Sequence, residues 1–267
     1  MGRSRFIYDI MMKFYQPFKL LEKLPFMSSG DSHENTSAHI IPVEMVVDGG
    51  RNTVLPMDII RILVEKAQHV GIMDHCLCRK GEGCSQYPVD FGCLMLGPSL
   101  EQLHPRLGSP VTKEEALSHA KKGIGMGLYP MVVHNQFDAW MWGINYRGML
   151  NVCFCCPCCC SVRHSIASRV SEGFFQNIHR IPGLTVQVQK DDCNGCHMCT
   201  EVCMSNAITM LEGKAHVIQE HCKGCGRCVQ TCPRDAIIIE IATRTSISQE
   251  VFQHYNERTS VFKSTDN

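Results

Sequence analysis

Apolar positions recur every three to four residues in three stretches of the chain and cluster in short runs elsewhere. In "VLPMDIIRILVEKAQHVGIMD" (54–74), Ile59, Ile60, Leu63, Val64 and Ala67 share one face, which predicts a helix starting near Pro56. "SPVTKEEALSHAKKGIGMG" (109–127) carries the capping pattern Thr112-x-x-Glu115 and predicts a helix that stops at its glycines. "GIGMG" (123–127) follows this helix rather than a strand, so it is not a dinucleotide loop. Phe6, Ile7, Ile10, Met11 and Phe14 lie at helical spacing and predict an N-terminal amphipathic helix over 1–27, broken or kinked at Pro17. Its five Lys/Arg against two acids over 1–25 would suit a membrane surface or a docking partner; packing on its own domain is the preferred expectation. Short apolar runs predict strands at "IIPVEMVV" (40–47), "LYPMVVH" (128–134), "LTVQVQ" (184–189), "ITML" (208–211), "AHVI" (215–218) and "AIIIEI" (236–241).

Polar "SSGDSHENTSAH" (28–39) reads as a linker. The expected organisation is α+β. A Cys-rich α/β domain over 40–183 is followed by a second unit over 184–243 and a C-terminal tail over 244–267. The chain of 267 residues is 44% hydrophobic and 19% charged with zero formal net charge, so no basic footprint argues for nucleic acid. No apolar run reaches the ~20 residues that span a bilayer. Asp9 and Lys13 interrupt what a secretory signal would need, which makes the cytoplasm the expected location.

Eighteen cysteines, all between Cys76 and Cys232, change the picture. In a reducing compartment they point to metal ligation rather than disulfides. The clearest pattern is a repeat offset by 29 residues: "CNGCHMCTEVCMSNAI" from Cys193 and "CKGCGRCVQTCPRDAI" from Cys222. Both read C-x2-C-x2-C-x3-C with Ala-Ile at the same offset. Residues 186–243 thus resemble the bacterial-type ferredoxin with two [4Fe-4S] clusters. The resemblance implies that Cys193, Cys196, Cys199 and Cys232 hold one cluster and that Cys222, Cys225, Cys228 and Cys203 hold the other. It also implies a short helix begun by each fourth cysteine. Met204 stands where the family has the proline seen at Pro233. Paired zinc sites are the alternative, but three cysteines within seven residues suit a cubane better. His197, inside the first loop, is expected to face solvent.

Ten cysteines lie upstream: Cys76, Cys78, Cys84 and Cys93, then Cys153, Cys155, Cys156, Cys158, Cys159 and Cys160. The pattern C-x-C-R followed by C-x-C-C-x-C-C-C resembles a domain of ferredoxin-fused proteins of anaerobic microbes, without implying a settled activity. Neighbouring residues of an extended chain face opposite sides, so the second segment cannot aim every thiol at one cubane. Two cubanes, one cubane with spare thiols, a larger cluster, zinc, or a Cys-rich core remain open; one or two further iron–sulfur clusters of unspecified type are the preferred expectation. Arg79 would offset cluster charge or lie on the surface. His75, His104, His119 and His134 are candidate proton donors, and Trp140 and Trp142 candidate pocket walls.

The expected function is low-potential electron transfer through two ferredoxin cubanes, an upstream cluster and a redox partner protein. The alternative is a reductase, an iron–sulfur oxidoreductase whose upstream cluster, non-cubane in one version, is the active site. The adjacent cysteines bring to mind the CCG domains of heterodisulfide reductases, but Cys-Cys-Pro replaces Cys-Cys-Gly and the long spacing is missing.

Overall fold

The computed structural model describes residues 9–10, 35–42, 46–47, 51–52, 55–168, 172–241 and 247–262. Of the expected helix over 1–27, only Asp9 and Ile10 are described; both are helical and exposed. The rest of it, and residues 28–34 of the expected linker, lie outside the described residues.

The first described strand is β1 (Thr36–Ile40), followed by a hairpin of β2 (Val46–Val47) and β3 (Arg51–Asn52). Strands β4 (Val70–Met73), β5 (Leu94–Leu96), β6 (Gly108–Pro110), β7 (Tyr129–Asn135), β8 (Leu150–Cys155) and β9 (Ile178–Arg180) join β1 in a seven-stranded sheet, ordered β6-β4-β5-β8-β7-β1-β9. Every pairing is antiparallel except β1 with β9. The parallel sheet that an α/β unit would contain is therefore not what forms; the unit is α+β in its own right.

The helices follow their periodicity. In α1 (Leu55–Lys66), Ile59, Ile60, Leu63 and Val64 are fully buried, as is Ala67 just beyond it. After α2 (Leu77–Glu82) comes α3 (Lys113–Gly125), closed by the expected capping box: Glu115 N donates to Thr112 Oγ1 at 3.2 Å, and Thr112 N to Glu115 Oε2 at 2.8 Å. Gly127, at φ 76°, turns the chain out of α3 into β7, a conformation that favours glycine. Three shorter helices, α4 (Gln136–Trp142), α5 (Ser161–Ser168) and α6 (Glu172–Gln176), flank the last strands of the sheet.

Two boundaries differ from expectation. Residues 36–39 are not linker but most of β1, and all five residues of that strand are buried. Their polar side chains are satisfied from far along the chain: Ser37 Oγ meets His254 Nε2 at 2.8 Å, and His39 Nδ1 meets Tyr255 Oη at 3.0 Å. The supposed tail likewise forms α9 (Ile247–Asn256), numbered after the two helices of the ferredoxin-like unit below, with Val251 and Tyr255 fully buried. It packs on α1, and Tyr255 Oη donates to Val132 O at 3.0 Å. Phe262 then bridges to Ala67.

Residues 184–241 form two small sheets linked by pseudo-equivalent loops. β10 (Leu184–Val188) pairs antiparallel with the later strand β13 (Ile237–Ile241), and β11 (Ile208–Leu211) with β12 (Lys214–Val217). Between them run α7 (Met198–Val202) and α8 (Arg227–Thr231). One apolar cluster is continuous from Leu63 and Val152 to Val186 and Ile239, so the two units share a core. Among the described residues no helix is long and apolar enough to cross a membrane.

Replacing Tyr255 by Phe removes the donor to Val132 and the acceptor facing His39, both buried. A cost of about 1–3 kcal/mol is expected, read as a lower unfolding temperature of the full chain. An unchanged melt would show that the bond is not needed. The same region sets an acid response. Burial, then the neighbouring His254 and His179, pushes His39 down to about 2; burial, then Arg258 and His179, pushes His254 down to about 4. Both stay neutral when folded, so stability present above pH ~6.5 is lost as the pH falls toward 4, where only the unfolded chain takes up the protons. His254→Gln should flatten the slope of unfolding temperature against pH in that window; an unaltered slope would count against this cause.

Candidate iron–sulfur and thiolate sites

The repeat in the sequence is a repeat in the backbone. Gly195 and Gly224 have φ of 73° and 67°, His197 and Gly226 67° and 81°, and Asn206 and Asp235 both 51°. Each pair occupies equivalent positions of the two runs. A Cβ on Gly195 would press on Gly213 O, and one on Gly224 on the side chains of Leu184 and Arg180, so both loops need glycine there. His197 holds its left-handed conformation with its side chain exposed, as expected. Amides point at sulfur in both runs: Gly224 N, in a left-handed turn, lies 3.4 Å from Cys222 Sγ, and Ala215 N, of strand β12, lies 3.5 Å from Cys193 Sγ. The alanine that follows each fourth cysteine does the same, Ala207 N to Cys203 Sγ at 3.2 Å and Ala236 N to Cys232 Sγ at 3.3 Å. This explains the shared Ala-Ile offset.

Each fourth cysteine ends its short helix rather than beginning one: Cys203 caps α7 and Cys232 caps α8, both in extended conformation. Cys203 thereby joins Cys222, Cys225 and Cys228 around one pocket. Burial, with the mutual repulsion of these thiols, pushes Cys225 up to about 11 and Cys228 higher still. Four crowded thiols, three of them (Cys222, Cys225 and Cys228) resisting ionisation alone, form a donor set suited to a positively charged cluster. Cys199 lies beside Cys193 and Cys196 in the other loop.

Met204 and Pro233 differ for a visible reason. Pro233 is exposed, whereas Met204 is 1% exposed and packs with Tyr129, Ile166 and Phe175 against the sheet. The first run thus uses the proline position to join the two units. Lys223 supports the same contact: its Nζ donates to Phe175 O at 2.6 Å and lies 3.7 Å from that ring's centroid.

The ten upstream thiols divide into two groups, and β8 divides them. Its pleat puts Leu150, Val152 and Phe154 on the face covered by α1 and α3, and Cys153 and Cys155 on the other. Cys156 follows on the Phe154 side, Pro157 ends the ladder, and the turn returns Cys160 to the Cys155 side before α5. On that side six thiols form a ring of interactions: hydrogen bonding links Cys76 to Cys78, and Cys93 to Cys153, Cys155 and Cys160 in turn, while electrostatic interaction alone connects Cys78 with Cys160 and Cys93 with Cys76. Hydrogen bonding from Cys155, then Cys93, holds the Cys153 thiol well below its ordinary value, with Arg79 assisting against burial. Cys76 is brought down to about 7 by Cys78, with burial opposing and Arg79 assisting. Ser161 Oγ donates to Cys78 Sγ at 3.3 Å.

The second group is Cys84, Cys156, Cys158 and Cys159, whose sulfurs all lie within 4.8 Å of one another. Arg79 stands between the groups and is not a surface residue, being 1% exposed. It donates to the carbonyls of Pro88 (2.9 Å), Phe154 (2.8 Å) and Phe91. Burial works against its charge, but the thiols of Cys76, Cys93 and Cys156 outweigh that and hold its pKa above the usual value.

Two residues that sequence reasoning passed over border the ring. Tyr129 Oη is buried without a close hydrogen bond. Burial, then Cys160, Cys155 and, through the ferredoxin-like unit, Cys225, push its ionisation far up. Asp138 is brought up to about 7 by burial and then Cys153, with Asn151 bonded at 3.5 Å. Neither carries a motif; a tyrosine opening an apolar strand looks like core.

The other candidates do not gather here. His119 stacks on Phe91 at 3.9 Å and meets Gly92 O at 2.9 Å; His134 stacks on Tyr146 at 3.9 Å and meets Tyr146 O at 3.0 Å. His75 lies 3.1 Å from Lys80 Nζ, and His104 Nδ1 accepts from Arg106 N at 3.2 Å. Trp142 is buried, but Trp140 is 56% exposed and walls nothing.

A family model described as a 4Fe-4S dicluster domain matches residues 184–236, which include all eight cysteines of the repeat. No curated protein matches the chain significantly. Residues 184–236 are therefore an iron–sulfur electron-transfer module holding at least one [4Fe-4S] cluster.

The placement of Cys203 sets a test in the full chain. Cys203→Ala should remove about four irons and the EPR signal of the cluster at Cys222, Cys225 and Cys228, while the signal of the Cys193 loop survives. Loss of the Cys193-loop signal instead would reverse the assignment.

Proposed function

We propose that the chain is an electron-transfer protein with three iron–sulfur centres. Cys193, Cys196, Cys199 and Cys232 hold one [4Fe-4S] cluster; Cys222, Cys225, Cys228 and Cys203 hold a second. The ring of Cys76, Cys78, Cys93, Cys153, Cys155 and Cys160 holds the third, and a redox partner protein supplies or takes the electrons. The observation that carries this reading is Tyr129, whose buried hydroxyl has no close hydrogen bond and whose side chain packs in one cluster with Cys153, Cys155 and Cys160 of the ring and Cys225 of the ferredoxin-like module. A buried phenol without an ordinary acceptor fits beside the sulfurs of a cluster, and its position makes the ring and the second cluster neighbours. The ring suits a cluster rather than a lone ion, because no three of its thiols gather as tightly as the neighbouring four. When bound, such a cluster supplies one-electron chemistry. The protein's part is to enclose it, to offset its charge with Arg79 and to hydrogen-bond its sulfurs through Ser161 and Tyr129.

One observation favours a second reading. The ring offers six thiols, more than the four that a cubane takes, so an iron or a sulfur of a larger cluster could meet a substrate directly. In that reading the centre is a reductase site fed by the ferredoxin clusters.

Cys93→Ser with Cys153→Ser in the full chain should lower the iron content by about four and leave both ferredoxin-type EPR signals. Unchanged iron would overturn the third centre. Tyr129→Phe should keep the iron and shift the potential of the ring cluster downward by some tens of millivolts, since a hydrogen bond to sulfur of about 1 kcal/mol favours the reduced form. Mössbauer spectra of the ring centre separate the readings: a regular cubane supports the carrier, a non-cubane cluster the reductase.

A further inference from the structure

Four thiols upstream are gathered too closely for a cubane. Cys84, Cys156, Cys158 and Cys159 have all four sulfurs within 4.8 Å of one another, and Cys84 Sγ to Cys158 Sγ is 3.6 Å. Four thiolates around a single zinc ion, each about 2.3 Å from the metal, stand about 3.8 Å apart. A cubane puts each thiolate on a different iron, so its thiolates must stand wider than those sharing one ion. The same structure supplies the comparison. Among the described residues no other group of three or more potential ligands is this tight, the eight thiols of the iron–sulfur module included.

The local backbone agrees. Cys156 and Cys159 form a C-x2-C turn in which Cys159 N donates to Cys156 Sγ at 3.3 Å. The amides of Gln86 and Tyr87 turn back on the thiol of Cys84 in the same way. Amides aimed at two sulfurs from two separate turns prepare them to carry negative charge, as ligands of a divalent cation must. Pro157 and the left-handed Gly83, at φ 63°, set these turns, and Gly83 sends the chain from the end of α2 toward the β8 turn. Cys156 and Cys159 are buried while Cys84 and Cys158 are half-buried, so the group lies at the edge of the core, open to ion entry.

We propose that Cys84, Cys156, Cys158 and Cys159 bind one zinc ion in a closed, four-thiolate structural site. All four positions are filled by protein, which leaves none for a substrate, and zinc has no redox chemistry. The inference therefore stands apart from the electron-transfer reading. The ion joins the end of α2 to the end of β8. Those two elements also carry Cys76, Cys78, Cys153 and Cys155, so the zinc fixes the wall from which the six-thiol ring is built. Metal-binding energy here is folding energy for a turn with little apolar surface of its own.

The test uses the full chain, purified without oxygen or chelator. Elemental analysis should give about one zinc per chain beside the iron, and zinc-edge absorption should show four sulfurs at about 2.3 Å with no iron neighbour. Cys84→Ser combined with Cys158→Ser should lower the zinc at least fivefold while iron content and the iron–sulfur EPR signals stay. Loss of about four irons from that variant, mononuclear iron in place of zinc, or a zinc shell containing nitrogen or oxygen would each overturn the proposal. Because the absorption measurement is made on the unaltered chain, the proposal remains testable even where the double variant fails to fold.

Discussion

The pleat of β8 is the constraint on which the upstream half of the molecule depends. A strand alternates its side chains, so a run of cysteines cannot serve one centre and must be shared between two faces. Phe154 anchors the register: it is 1% exposed within the core under α1 and α3, and its carbonyl receives Arg79. A one-residue slip would drive Cys153 and Cys155 into that core and push Phe154 among the thiols. The guanidinium of Arg79 completes the arrangement, because it is a permanent cation placed where thiols of both groups converge. Lysine could not satisfy three carbonyls in a plane and hold the same charge.

Sharing a core with the iron–sulfur module gives the sheet a second role. Its far face is sealed by Met204 and Phe175, and Lys223 is tied to the backbone of α6. The placement of the module against the sheet is therefore set by side-chain packing rather than by a linker. That distinguishes this arrangement from two domains joined by a flexible tether, whose relative placement would vary.

What the sequence disclosed followed from local rules. The two four-cysteine runs, the face of α1, the capping box of α3 and the strands of the C-terminal unit could all be read, because each depends on neighbours within a few residues. β1 could not: Thr36, Ser37 and His39 look like linker until His254 and Tyr255 arrive to satisfy them. The burial of α9 and of Arg79 was hidden for the same reason, since their partners are distant in the chain. The division of the upstream thiols was half legible. Strand parity foretold that Cys153 and Cys155 would part from Cys156. Nothing local foretold that Cys84 would leave Cys76 and Cys78, which is decided by the left-handed turn at Gly83.

The position of α9 gives the molecule an order of assembly. This helix is synthesised after the iron–sulfur module, yet it covers α1 and bonds to the interior strand β7 of the first sheet. As the chain emerges, the sheet has all its strands before it has its last covering helix, and the module forms while that face is still open. The first unit closes only when the final turn of α9 docks. The core under α1 is thus completed only after the electron-carrying module has been made, and the two units mature as one.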